Sequence, residues 1–397
     1  MPRFLLQKEN QVQVLVSAFF ILLVLIPGFV YVNFSDTTKK DEGGVLLENK
    51  RLYGSKLNEN LLPKNMPQIM AMAIEYQAMG AKDKAEMDAL KKLKDNDEIK
   101  ELLPKTVSRN TKNMNLKPLL LILGHLHRDE NVYSPVFRES LNTLLRTCIA
   151  HCQMMGEVSM ELNQLARMGN SAKKIGYKAY STVIEFQQLM TQGLWTTSDP
   201  MLQLPGFDND EIKKYRQKLR TAGIKDPSIE TFCRLTPKQR ADLKLFDGDK
   251  AKYVQLEKAV KAMPLISVKA EAFTEGEEKM TATDAITLKF TLTYDQLEEK
   301  ETPGYTCSRK FPFLKRQNWT LIFVDGKTKE NIIAVEKLLP KDGNSATFEL
   351  KQRFGQVGKF NFYVFFKHDS SVGFDKELPF EFEIFADDKN RVIPPVS

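Results

Sequence analysis

From Gly44 to Gln203 the apolar positions recur at helical spacing. Ile69, Met70, Met72, Ala73 and Tyr76 share one face of a 3.6-residue period, as do Leu116, Leu119, Leu120, Leu123 and Leu126, and then Leu141, Leu144, Leu145, Cys148 and Ile149. Pro63, Pro104, Pro135 and Pro200 stand where helices would begin or end. The pattern predicts a helical bundle over 35–204. A smaller helix-hairpin-like unit is predicted over 205–262. Its signals are the turn Asp226-Pro227 and the run Thr236-Pro237-Lys238-Gln239, which combines an N-cap hydroxyl, a proline at the first helical position and a capping-box glutamine.

After Met263 the period changes to two. Ile286, Leu288, Phe290, Leu292 and Tyr294 alternate with Thr287, Lys289, Thr291 and Thr293, the pattern of a half-buried strand. Further strands are predicted over 321–324, 348–350, 360–366 and 380–385, with turns at Asp325-Gly326, Asp342-Gly343 and Gly355 to Gly358. Short, aromatic-rich strands at this spacing predict an immunoglobulin or fibronectin type III-like β-sandwich over 263–389, followed by a tail at 390–397. Residues 298–317, with Pro303-Gly304 and five basic residues, read as a long loop between strands.

One stretch breaks the water-soluble pattern, FFILLVLIPGFVYVNFS at 19–35. From Val14 to Val32 nineteen residues carry no charge, enough for a hydrocarbon core of roughly 30 Å. The run exceeds a signal peptide's apolar region and ends in bulky groups unsuited to cleavage. It predicts a retained transmembrane helix over 12–34, carried by Val14, Phe20, Leu23, Ile26, Pro27 and Val32, behind a short luminal segment at 1–11. Arg3 and Lys8 before the run, against Lys39, Lys40, Lys50 and Arg51 after it, favour a cytosolic C-terminus. The expected fold class is therefore multidomain α + β: one transmembrane helix, an all-α bundle with a helix-hairpin-like unit, and a β-sandwich.

Composition is globular, with 42% apolar and 27% charged residues, and four cysteines are too few for a secreted disulfide framework. The net charge is +7, and residues 205–262 hold 14 Lys/Arg against 9 Asp/Glu, a basic stretch suited to anionic headgroups or an acidic partner. Cys148, His151 and Cys152 are of metal-ligand type, but no second Cys/His pair completes a tetrahedral site, so they read as buried core groups. His125 and His127 lie on opposite sides of a helix. No phosphate loop, nucleophile elbow, zinc-protease motif or dinucleotide fingerprint occurs, and the carboxylates are scattered. No catalytic residue, cofactor or metal is assigned, and an enzyme is not expected. A nucleic-acid grip by the 205–262 unit is disfavoured by the expected membrane tether.

Several segments together resemble the Sec sixty-three family of the endoplasmic reticulum. They are Pro2-Arg-Phe-Leu-Leu6 before a proline-containing span, the stretch from Asn113 to Leu126, Met201-Leu-Gln-Leu-Pro205 entering the hairpin-like unit, and His368-Asp-Ser-Ser-Val-Gly-Phe-Asp375 before the last strand. The resemblance covers essentially the whole chain from the family's third transmembrane helix onward. It implies an endoplasmic reticulum membrane protein with most of its mass in the cytosol. It also implies a non-enzymatic accessory subunit of the Sec channel, whose span and sandwich bind the channel, open its gate and promote post-translational translocation.

No His-Pro-Asp J-domain is present, so the luminal Hsp70-type chaperone would be reached only through a segment missing here. The chain is expected to be a fragment of a longer protein, or else a paralogue without the J-domain. The long acidic tail through which many relatives bind Sec sixty-two is absent, which leaves that partnership in doubt. Related domains also end certain RNA helicases, but no helicase motif is present and the expected span excludes that branch. The rival reading is a luminal or cell-surface adhesion module on a signal anchor. The sequon Asn318-Trp319-Thr320 separates the two, because it would carry glycan only in the lumen. Candidate partner-binding residues are Arg309, Lys315 and Arg316 in the basic loop, and Asp369, Ser370, Phe374 and Asp375 before the last strand.

Overall fold

The computed structural model describes residues 11–29, 40–41, 43–103, 116–169, 173–221, 223 and 227–386. Around Leu116–Leu126, a helix buried at every position from Lys117 onward, pack shorter helices, and the long helix Arg138–Arg167 contributes to the same core. A second central helix, Tyr177–Gln192, is buried along most of its length and lies against Arg138–Arg167. It stops at Gly193, whose φ of +56° is the left-handed turn that glycine adopts without a Cβ penalty.

The unit that follows comprises Asn209–Thr221, Ile229–Arg234, Pro237–Asp242 and Lys250–Lys261. Thr236 and Gln239 close a reciprocal capping box at the third of these helices. Phe207, Tyr215, Phe232 and Phe246 pack edge to face beneath them.

Seven strands complete the chain: β1 Ile266–Phe273, β2 Ile286–Tyr294, β3 Trp319–Asp325, β4 Ile332–Leu338, β5 Ser345–Gln352, β6 Gly358–His368 and β7 Lys376–Ile384. They form two antiparallel sheets, ordered β1-β2-β5 and β4-β3-β6-β7. The alternating residues of β2 are its buried face, with Phe290 opposite Phe348 in register and 5.3 Å, centroid to centroid, from Phe323 of β3. The expected immunoglobulin or fibronectin type III sandwich is corrected to these two sheets. Their core is continuous with that of the preceding helical unit, in one cluster running from Met201 to Ile384. In addition, Ile322 and Val324 of β3 and Phe365 of β6 pack against Tyr180 and Ile184 of the Tyr177–Gln192 helix. β3 is thus covered on both faces, which is why it reads as an unbroken apolar run.

The expected membrane span is also corrected. Val14 and Phe20 lie in an α-helix, Gln11–Phe20, and Leu23 lies in a π-helical segment, Ile21–Leu25. Ile26 and Pro27 continue the helical run, and Val32 falls outside the described residues. The uninterrupted α-helix measures about 15 Å at 1.5 Å per residue, half the hydrocarbon thickness, because the π turn interrupts the regular winding. No helix among the described residues is long and apolar enough to cross a membrane. Pro104, the stretch 113–115, Asp226, the segment 2–6 and the tail at 390–397 also lie outside the described residues.

Candidate functional site

Two of the sequence-marked segments meet. Gln203, in Met201–Pro205, donates from Nε2 to the Val372 carbonyl at 2.8 Å and accepts from the Val372 N–H at 2.9 Å. Three more glutamines, on Tyr177–Gln192, extend this joint. Gln187 donates to the Asp369 carbonyl at 2.9 Å, Gln188 to the His368 carbonyl at 2.6 Å, and Gln192 to the Ser370 carbonyl at 2.8 Å. The 368–375 loop has few ladder partners of its own. The helix supplies donors to carbonyls that burial would otherwise strand.

Of the candidate loop residues, Asp369, Ser370 and Phe374 are buried, and Asp375 is largely covered. Asp375 accepts from the His368 N–H and the Gln188 amide, and its other oxygen lies 3.0 Å from Lys367 Nζ. Burial works against the Lys367 ammonium, but Asp375 and Glu185 on either side hold it above the usual lysine range. His368 Nδ1 accepts from the Ser370 and Ser371 N–H groups, which fixes a neutral ring with its proton on Nε2. Burial pushes its pKa down to about 4. Gly373 has a φ of +87°, and a Cβ there would meet Ile229 and Pro200. The loop forms the seam between the helices and the sheets.

The 298–317 loop is a strap laid on the helices. Phe311 enters the helical core, Ser308 donates to the Thr191 carbonyl at 2.6 Å, and Lys310 lies 4.0 Å from the Tyr133 ring. Beside it, Arg128 donates to the carbonyls of Gly193, Leu202 and Gln192 at 2.7, 2.9 and 3.0 Å, capping the end of Tyr177–Gln192. Lys315 is ion-paired with Asp369 and only 10% exposed, so it holds the strap to the seam. Arg309 and Arg316 are exposed. The structure therefore brings Lys315 and Asp369 together, leaves Arg309 and Arg316 at the surface, and assigns structural roles to Ser370, Phe374 and Asp375. Sequence reasoning missed the glutamines. Their signal is the placing of Gln187, Gln188 and Gln192 on a helix otherwise rich in apolar positions.

Cys148, Cys152 and Cys233 are buried free thiols, raised by burial. His151 bonds the Tyr53 hydroxyl through Nδ1 at 2.8 Å, and His125 bonds the Met190 carbonyl through Nε2 at 2.8 Å. No group of three or more metal-ligand side chains is found among the described residues.

The family described as the Sec63 Brl domain matches residues 45–381. The pre-mRNA-splicing factor brr2 of Schizosaccharomyces pombe is 22% identical over 85% of this chain and 14% of its own length. The U5 small nuclear ribonucleoprotein 200 kDa helicase of Drosophila melanogaster is 21% identical over 91% of this chain and 15% of its own. The DnaJ protein ERDJ2A of Arabidopsis thaliana is 23% identical over 77% of this chain and 45% of its own. The chain thus spans less than half of each of these relatives. With no helix among the described residues long and apolar enough to cross a membrane, and relatives named as a pre-mRNA-splicing factor and a small nuclear ribonucleoprotein helicase, the expected place in the endoplasmic reticulum membrane is overturned. The exclusion of the helicase branch thereby loses the span as one of its two grounds.

Proposed function

Because the chain belongs to the Sec63 Brl domain family, we propose that it is a non-catalytic interaction module and acts as an accessory unit of a protein-conducting Sec channel. In this reading the helices, seam and sheets dock on the channel as one body and favour its open gate, promoting post-translational translocation. The supporting observation is continuity: the family match runs unbroken through both the helical and the sheet regions, and the DnaJ relative covers 77% of the chain. A body held by the four glutamines needs only a better fit to the open state than to the closed one, and tenfold preference takes about 1.4 kcal/mol. Sec sixty-two and a luminal Hsp70-type chaperone are not assigned as direct partners of the described residues.

The coverage by brr2 favours a second reading, a module that serves a splicing helicase. Chemical crosslinking of the tagged full chain in its own cells, followed by mass spectrometry, separates the two. Channel subunits crosslinked to the sheets or the strap support the first reading. Helicase or splicing components, with no channel subunit, would sink it.

A further inference from the structure

A cleft of about 290 Å³ lies where Lys250–Lys261 meets the strap. Its mouth carries Lys258 and Lys261, three residues apart on the last turn of that helix, and both side chains are exposed. Neither forms a salt bridge among the described residues. The opposite wall is Tyr305, half exposed and bridged antiparallel to Arg316, which brings a third cation to the same edge of the strap. Apolar groups of Met263, Leu297 and Pro303 line the interior.

At the floor is Gln317, 4% exposed. Its Nε2 donates to the Ala262 carbonyl at 2.7 Å, which fixes the amide's orientation, and no donor among the described residues reaches its buried Oε1. A buried acceptor without a partner costs about 1–3 kcal/mol, so it favours whatever brings a donor to it.

We infer that this cleft binds an acidic peptide segment, with carboxylates on Lys258, Lys261 and Arg316, an apolar side chain inside, and a peptide N–H directed to Gln317 Oε1. The lone acceptor at the floor calls for a donor, which a peptide backbone supplies at every non-proline residue and a phosphate group itself does not. A cleft this small takes one side chain, and the three cations select its flanking charges. The proposal goes beyond the channel reading and does not rest on it, because its observations are the cleft's own residues.

The test is fluorescence anisotropy on the full chain with a short labelled peptide alternating Glu and Leu, against a control alternating Lys and Leu. Selective binding of the acidic peptide is expected, weakened about tenfold or more in the Lys258→Glu/Lys261→Glu variant and again in Tyr305→Ala. Both variants alter exposed groups, and their thermal midpoints identify any folding defect. Three results would overturn the proposal: equal binding by the charge-reversed protein, equal binding of the basic peptide, or displacement of the acidic peptide by a single-stranded oligonucleotide or anionic vesicles at equal concentration. Crosslinking partners from cells reads the channel proposal separately, so the failure of one is distinguishable from the failure of the other.

Discussion

The Gln188 side-chain amide donates to Asp375 Oδ1 at 2.9 Å and to the His368 carbonyl at 2.6 Å, joining residues 187 and 180 positions apart in sequence. Gln188→Leu keeps the bulk and removes both bonds, taking this donor from the His368 carbonyl and leaving Asp375 Oδ1 with the His368 N–H alone. The variant is expected to lose about 1–3 kcal/mol of stability, read as a lower urea midpoint. A wild-type midpoint would mean that the seam does not depend on this glutamine.

Lys367 sits 3.0 Å from both Glu185 and Asp375, with 11% of its side chain exposed. Lys367→Met leaves the Asp375 carboxylate covered and uncompensated, at a cost of about 3 kcal/mol or more. Adding Asp375→Asn should restore part of that loss, and a double-mutant cycle that proves additive would refute the coupling.

Arg128 reaches three carbonyls with one rigid guanidinium from a residue at φ +56°. Arg128→Lys preserves the charge but offers a compact ammonium that cannot span the three acceptors, so a loss of about 1–3 kcal/mol is expected. Protease cleavage near Gly193 should quicken in parallel, and unchanged digestion would count against the cap.

His125, His151 and His368 are buried, and burial lowers each pKa to about 4. In the unfolded chain each titrates near 6.5, so between those values the unfolded state binds the extra protons. Stability is therefore fully present above about pH 6.5 and falls as pH drops towards 4, by up to about 3 kcal/mol per histidine. Glu75 beside His151 and Asp369 beside His368 work against the shift, while Lys315 adds to it at His368. Burial raises Asp375, which acts in the opposite sense at the acid end. Denaturant titrations at pH 7 and pH 5 measure the difference, and equal midpoints would contradict it. His368→Gln should flatten its share of the slope.

Local patterns were legible where local physics set them. Leu119, Leu120, Leu123 and Leu126 are core residues, Thr236 and Gln239 form the capping box, and Ile286, Leu288, Phe290, Leu292 and Tyr294 are the buried face of β2. Each signal lies within a few residues of its effect. The apolar run at 19–35 misled because composition counts apolar residues without showing how the backbone winds, and the π turn at Ile21–Leu25 is a matter of winding.

In the two loops named as candidate partner-binding surfaces, Asp369 and Lys315 are covered for a related reason. Polar composition marks Asp369 and Lys315 as exposed, yet each covers the other. By itself the sequence determined the helical and strand stripes and the caps, readable from spacing, and the family at the level of the Sec63 Brl domain, through the resemblance of particular segments. Only the tertiary structure decided that Met201–Pro205 closes on His368–Asp375 through Gln203, and that the 298–317 loop is a strap with a basic cleft at its edge. Those pairings lie far apart in the chain, and a buried polar group's partner is set by which surfaces the fold brings together, a quantity no local period encodes.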